Sequence, residues 1–260
     1  MTTWTYGGTA LTSFGTVRLI EDYLDAPARR GDNITIPFRH GAIFSQKYYD
    51  QRSISFGITV VGTSAATLES TLDTMRALFS PMTQQTLAMT LESAAVRNIS
   101  ATVDRPLQVE RLTSRYARVI IEFMCTEPFW RLSTVIADNT VTINANPKAM
   151  TVANPGTAIE TNPTIILTGP LSNTVITNST TGSVLTYTGT IASPRVVTIV
   201  RAATGEYTAT TDLAANVIAN VTHSGTPEFM RLNPGNNTLS IADGTATTGT
   251  VKMSFYAPFL

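Results

Sequence analysis

Residues 53–81 read SISFGITVVGTSAATLESTLDTMRALFSP, and the hydrophobic period changes in the middle of this stretch. In the first ten residues Ile54, Phe56, Ile58 and Val60 alternate with small or polar neighbours, the period of two that puts one face of a strand against a core. Beyond Gly62 the apolar positions become Leu68, Leu72, Met75, Leu78 and Phe79, a single stripe at helical spacing. Thr63 or Ser64 is placed to cap this helix, and Pro81 stops it because proline cannot continue the hydrogen-bond ladder. No other segment carries a comparable helical stripe, so the chain is expected to be mainly β with one flanking helix.

Working outward, RYARVIIEF places Val119, Ile121 and Phe123 on one strand face, and TLAMTL and ISATV alternate in the same way, separated by the polar ESAAVRN. The second half shows strand signals throughout: TVTINA, PTIILTG, NTVITN, SVLTYTG, RVVTIVR, NTLSIADG and TVKMSFYA, with turn residues recurring between them. NVIANV reads as a helical turn at most. Such spacing is what a β-sandwich or jelly roll produces. Threonine, abundant here, fits a pleated surface through its branched side chain and keeps the outer face wet through its hydroxyl. No internal repeat of solenoid or propeller length is present.

The two halves differ in charge. Residues 1–135 hold 25 of the 36 charged side chains, and the remaining 125 residues hold 11. A boundary near Ser133 follows, with one domain over 1–135 and another over 136–260. Residues 137–163, with NANPK, ANPG and TNP, read as a connector or as short loops opening the second domain.

Composition excludes several functions. Eighteen basic residues balance eighteen acidic ones, so no long-range field draws the protein to nucleic acid or an anionic membrane. A single cysteine, Cys125, rules out an internal disulfide framework and a multi-cysteine zinc site; it is expected to pack as a small apolar residue at the end of the VIIEFM strand. His40 and His223 lack ligand neighbours at metal-site spacing. No phosphate-binding glycine loop and no G-x-S-x-G elbow is present. Glu21, Asp22 and Asp25 in IEDYLD are close in sequence, but a glycosidase needs its two carboxylates flanking a cleft, and neighbours on a strand point to opposite faces. A solvated strand end is the simpler reading. The start MTTWTYGGTALTSFG has no basic and apolar succession of a secretory signal, and no apolar run is long enough to span a bilayer. The sequence therefore indicates neither catalytic residues, nor a cofactor, nor a metal.

RRGDNITIPFRHG, residues 29–41, contains an Arg-Gly-Asp triplet that invites an adhesive reading. The physical reading is a protruding hairpin or loop. Ala26-Pro27 starts a turn, Gly31 permits a positive φ, and NITIPF leaves as a strand with Ile34 and Ile36 on one face. Its arginines are then available for a partner's carboxylates.

Taken in order, RRGDNITIPFRHG, YYDQRSISFGITVVG, the helix ending LDTMRALFSP and the strand closing RVIIEFMCTEPFWR resemble the N-terminal domain of the distal tail proteins of long-tailed bacteriophages. The last segment, PEFMRLNPGNNTLSIADGTATTGTVKMSFYAPFL, is similar to the same family's final strands. The resemblance implies a non-enzymatic virion part at the tail tip, made and assembled in the bacterial cytoplasm. It implies an N-terminal tail-tube-like β-sandwich with a flanking helix, and a peripheral galectin-like or carbohydrate-module-like β-sandwich. Six copies would form a ring continuing the tail tube, contacting the tube protein on one side and the tip hub or tail-associated lysin on the other, with DNA passing only transiently. Arg29, Arg30, Asp32 and Arg39 would then sit at the subunit interface, the arginines opposite a neighbour's Glu21, Asp22 or Asp25.

Three other readings remain open on the residues alone. A carbohydrate-binding module would use Tyr187, Tyr207 and Phe229 as sugar-stacking rings against a host surface glycan, although core packing is the commoner fate of such rings and no tryptophan lies beyond Trp130. A glycoside hydrolase would need the paired carboxylates discussed above. A tail tube protein would differ from a distal ring by stacking into long tubes.

Overall fold

The computed structural model describes the chain except residues 1, 21–25, 37, 39, 46, 81–82, 202–205, 225–228 and 245–247, and the side chains of 35, 137 and 138. It divides into two compact units, Met1–Ser133 together with Leu260, and Thr134–Phe259.

The first unit runs β1 (Thr3–Tyr6), β2 (Thr9–Ala10), a 3-10 turn at Leu11–Ser13, β3 (Thr16–Leu19), β4 (Arg29–Arg30), β5 (Ile34–Thr35), β6 (Ala42–Ile43), β7 (Tyr48–Tyr49), β8 (Arg52–Val61), helix α1 (Ala65–Phe79), β9 (Gln85–Thr90), β10 (Val96–Val103), β11 (Gln108–Arg111), β12 (Tyr116–Cys125) and β13 (Trp130–Leu132). Its main sheet has the order β2-β1-β9-β10-β12-β8-β3. The backbone of this sheet is the antiparallel β8–β12 ladder, in register from Tyr116 opposite Val61 to Cys125 opposite Arg52. On the far side of β12, β10 pairs with its C-terminal end while β11 pairs with its N-terminal half.

Alternation explains which face of the ladder is inside. Ile54, Phe56, Ile58 and Val60 from β8 and Val119, Ile121, Phe123 and Cys125 from β12 are all buried. Leu68, Leu72, Met75 and Phe79 of α1 are buried as well, whereas Leu78, one position off the stripe's centre, is only half-buried. Ser64 is the cap: its Oγ accepts the Thr67 N–H at 3.2 Å, satisfying a donor that the first turn leaves free. The helix ends at Phe79; Pro81, the expected stop, lies outside the described residues. Gly62 is required just before the cap, because a Cβ there would come within 2.7 Å of both the Leu68 nitrogen and the Ser64 carbonyl oxygen.

Aromatic rings knit these elements together. Tyr6 lies 4.7 Å from Phe123 and 5.7 Å from Phe79, and Trp4 lies 4.9 Å from Phe56 and 5.9 Å from Trp130, centroid to centroid. Trp130, the last residue of EPFW, is thus a core residue.

The second unit runs β14 (Ile136–Thr142), β15 (Lys148–Asn154), β16 (Thr164–Thr168), β17 (Leu171–Asn178), β18 (Ser183–Ile191), β19 (Val196–Arg201), β20 (Tyr207–Thr211), β21 (Val221–Ser224), β22 (Gly235–Ala242), β23 (Thr250–Phe255) and β24 (Pro258–Phe259). Two antiparallel five-stranded sheets, β14-β23-β16-β19-β20 and β15-β22-β17-β18-β21, form a β-sandwich. Its interior is filled by Ile165, Leu167, Val197, Ile199, Val251 and Met253 from one sheet and Met150, Val152, Ile176, Leu185, Leu239 and Ile241 from the other. The mainly β class with one flanking helix is as the sequence implies. NVIANV contributes a 3-10 turn at Ile218–Asn220.

Residues 137–163, read as a connector or as short loops opening the second domain, carry strands as well: most of β14, in the stretch where TVTINA is expected to be extended, and all of β15, which pairs along its full length with β22. Their proline-asparagine pairs are tight turns between strands: Gly156 donates its N–H to Asn154 Oδ1 at 2.9 Å. NITIPF also yields only the two-residue β5, with Ile34 61% exposed, because its partner is another short strand of the same excursion rather than the main sheet.

Leu68→Ala, which opens a cavity beneath the helix, is expected to lower the unfolding free energy of the first unit by about 2–5 kcal/mol. Urea titration followed by tryptophan fluorescence checks this, because Trp4 and Trp130, the chain's two tryptophans, both lie in that unit's core.

Candidate subunit interface

Between β3 and β8 the chain leaves the main sheet and returns. β4 pairs with β7, Arg29 opposite Tyr49 and Arg30 opposite Tyr48, and beyond them β5 pairs with β6, Ile34 opposite Ile43. The Asp50 N–H closes the base on the Ala28 carbonyl at 2.7 Å. The result is an arm made of two successive short ladders. Gly31, at φ +111°, lets the outgoing chain bend between the ladders, a conformation that a residue with a Cβ adopts only under strain. Phe38 sits beyond the second ladder at φ +60° with its ring fully in solvent.

The arm is fastened by stacked rings. The Arg29 guanidinium lies over the Tyr49 ring at 5.6 Å, and Tyr49 meets Phe129 edge to face at 5.4 Å. Each such contact contributes about 0.5–1.5 kcal/mol. EPFW therefore works in two directions: Trp130 points into the core and Phe129 props the base of the arm.

Arg29, Arg30 and Asp32 are all exposed on this arm. The structure brings Arg29 together with Phe44, Lys47, Tyr48 and Tyr49 around a cleft of about 260 Å³. The last four were not singled out from the sequence; the YY pair within eleven residues of a second cation, Arg39, was the only local signal. Arg39, and the carboxylates Glu21, Asp22 and Asp25 expected to face it across an interface, lie outside the described residues.

The other candidates are dispersed. Tyr187 is 4% exposed, turned inward on β18, so its ring presents no face to a sugar. Tyr207 stacks on Phe229 at 3.9 Å, and Phe229 is itself buried, so each ring occupies the other's face. His223 is exposed beside Phe229 at 5.2 Å, and His40 is exposed on the arm. Among the described residues no group of three or more histidine, cysteine or acidic side chains is placed to hold a metal. No helix among them is long and apolar enough to cross a membrane. Cys125 is fully buried, and burial pushes its thiol from the ordinary value of 9.0 up to about 12, with the charge of Arg52 opposing the shift.

Residues 8–125 match the family described as phage tail protein RIFT-related domain. The fold of the chain is similar to that of the Dit protein (gp 19.1) of phage SPP1, described as a paradigm of the hub adsorption apparatus in phages that infect Gram-positive bacteria. The TM-score is 0.71, with 16% identity and 100% of both chains covered. A chain of the phage P2 baseplate in its activated, calcium-bound conformation gives a TM-score of 0.48 at 11% identity, again over 100% of both chains. No curated protein matches the sequence.

Three outcomes follow. Phe129→Ala removes the prop beneath Tyr49, so limited trypsin digestion should cut after Arg29 or Arg30 about ten-fold faster while the main sheet's thermal unfolding shifts little. Cys125 should react with a disulfide reagent at pH 8 roughly a thousand-fold slower in the native chain than after unfolding, as expected when only thiolate attacks. Its folded pKa lies above the unfolded one, so the native state keeps the proton longer. Stability should therefore fall as pH rises from 9.0 toward about 12, and Cys125→Ser should flatten that part of the curve.

Proposed function

We propose that this chain, which matches the phage tail protein RIFT-related family over residues 8–125, is a bacteriophage distal tail protein that forms a ring at the end of the tail tube and leaves a channel for DNA. The observation that carries the reading is the pairing of that domain with an overall fold like SPP1 Dit across the complete chain. The ring holds six copies, contacts the tail tube protein on one side and the tip hub or tail-associated lysin on the other, and carries the second unit, Thr134–Phe259, at its periphery. The protein acts by assembly and not by catalysis.

A closed ring needs a head-to-tail contact in which one patch on each copy meets a different patch on the next. An arm rich in exposed cations and apolar side chains is suited to be one of those patches, and Arg29, Arg30, Asp32 and Arg39 are the residues we assign to it. A balanced charge, eighteen against eighteen, suits a conduit as well, since a strongly basic wall would retain the DNA that must pass.

Mass photometry and negative-stain microscopy of the purified chain test this reading. The expected particle has six times the chain mass of 27.9 kDa and a central opening. It should stop at one or two layers, where a tube protein would extend. Arg30→Glu should shift the population toward monomer, increasingly so at low salt. A chain that stays monomeric alone and when mixed with its tube and hub neighbours would overturn the assignment.

A further inference from the structure

Among the described residues twelve large apolar side chains are conspicuously exposed, and five of them, Ile34, Phe38, Ile43, Phe44 and Tyr48, lie on the arm between positions 34 and 48. Such a concentration of exposed apolar side chains marks a surface that is covered in use. The charges on the arm matter too. Elsewhere in the first unit several arginines stand beside carboxylates: Arg76 with Asp73 at 2.6 Å, Arg105 with Glu122 at 3.2 Å, Arg111 with Glu69 at 3.1 Å and Arg131 with Glu127 at 3.3 Å. Among the described residues no carboxylate lies within ion-pair distance of Arg29, Arg30 or Lys47.

The two features meet in one place. Arg29 and Lys47 flank the cleft of about 260 Å³, and Phe44, Tyr48 and Tyr49 wall it. Two cations beside three rings recognise a carboxylate on an apolar stem: the rings exclude water, and the charge-assisted hydrogen bond strengthens where water is excluded. A nucleic-acid backbone needs a longer track of cations than this cleft offers. We propose that the cleft receives an aspartate or glutamate side chain from a second copy of the chain, so that each arm locks onto its neighbour.

This rests on the ring reading above, and charge complementarity favours a second copy as the partner. Residues 26–51 carry four cations, Arg29, Arg30, Arg39 and Lys47, against two carboxylates, Asp32 and Asp50. The whole chain is neutral, so the remainder carries a matching excess of carboxylates. In a head-to-tail ring the donor and acceptor patches must both come from this one sequence.

The test places the photo-cross-linking residue p-benzoylphenylalanine at Phe44 in the full chain, irradiates it, and identifies the captured peptide by mass spectrometry. The expected product is a covalent dimer joined to a peptide containing Asp or Glu. Lys47→Glu in the same protein should lower the dimer yield about ten-fold, without moving the thermal unfolding curve, because Lys47 is exposed. Rings seen by mass photometry with no cross-link, with a cross-link confined to one chain, or with capture only of nucleic acid or another tail protein would overturn the cleft assignment and leave the ring reading standing. Absence of rings overturns both.

Discussion

The antiparallel ladder between β8 and β12 is the element on which the first unit depends. Its ten paired residues present one continuous apolar face, and that face needs a cover. The stripe of α1 supplies part of it, and Trp4, Tyr6 and Trp130 supply much of the rest with rings that contact Phe56, Phe79 and Phe123 or one another. Strand alternation and helical periodicity therefore converge on one core, the consistency across levels that gives a single native state. Cys125 ends the ladder in this apolar setting, which is why its thiol is held protonated.

The same ladder makes the arm possible. β3 and β8 are neighbours in the sheet, so the chain between them leaves and re-enters at nearly the same place. An excursion anchored at both ends in a rigid sheet can project apolar and cationic side chains without unravelling. Its base is stiffened by the stack from Arg29 through Tyr49 to Phe129, so the arm is propped by a residue in the turn that leads directly into β13 of the main sheet. A base stiffened in this way would suit the repeated contact of the proposed ring.

The second unit is held differently. Buried asparagines from three strands grip one returning segment: Asn178 donates to the Arg231 carbonyl at 2.7 Å, Asn154 to the Leu232 carbonyl at 3.2 Å, and Asn237 both donates to the Asn233 carbonyl at 2.8 Å and accepts its N–H at 2.9 Å. Asp243, also buried, accepts from the Ser172 N–H and the Thr174 hydroxyl. Polar groups enclosed in a core must find partners, and these do so by fixing loops. The stacking of Tyr207 on Phe229 and the burial of Tyr187 belong to the same economy of packing.

Periodicity is local, and so the sequence by itself determined what local pattern controls: the strand at Ile54–Val60, the helical stripe from Leu68 to Phe79, a cap at Thr63 or Ser64 that the structure resolves to Ser64, the inward fate of Cys125 and the mainly β class. It also marked the arginine-rich loop as an excursion, through its turn residues. β15 escaped because its core positions, Met150 and Val152, sit between turn-forming pairs that dominate a short window. Only the tertiary structure decided that Arg29 meets Tyr49 and Lys47 across the arm, that Phe129 supports them, and that Tyr187 points inward. Those contacts join residues far apart in the chain, and their register is set by pairing and packing of the whole sheet, which no single window of sequence encodes.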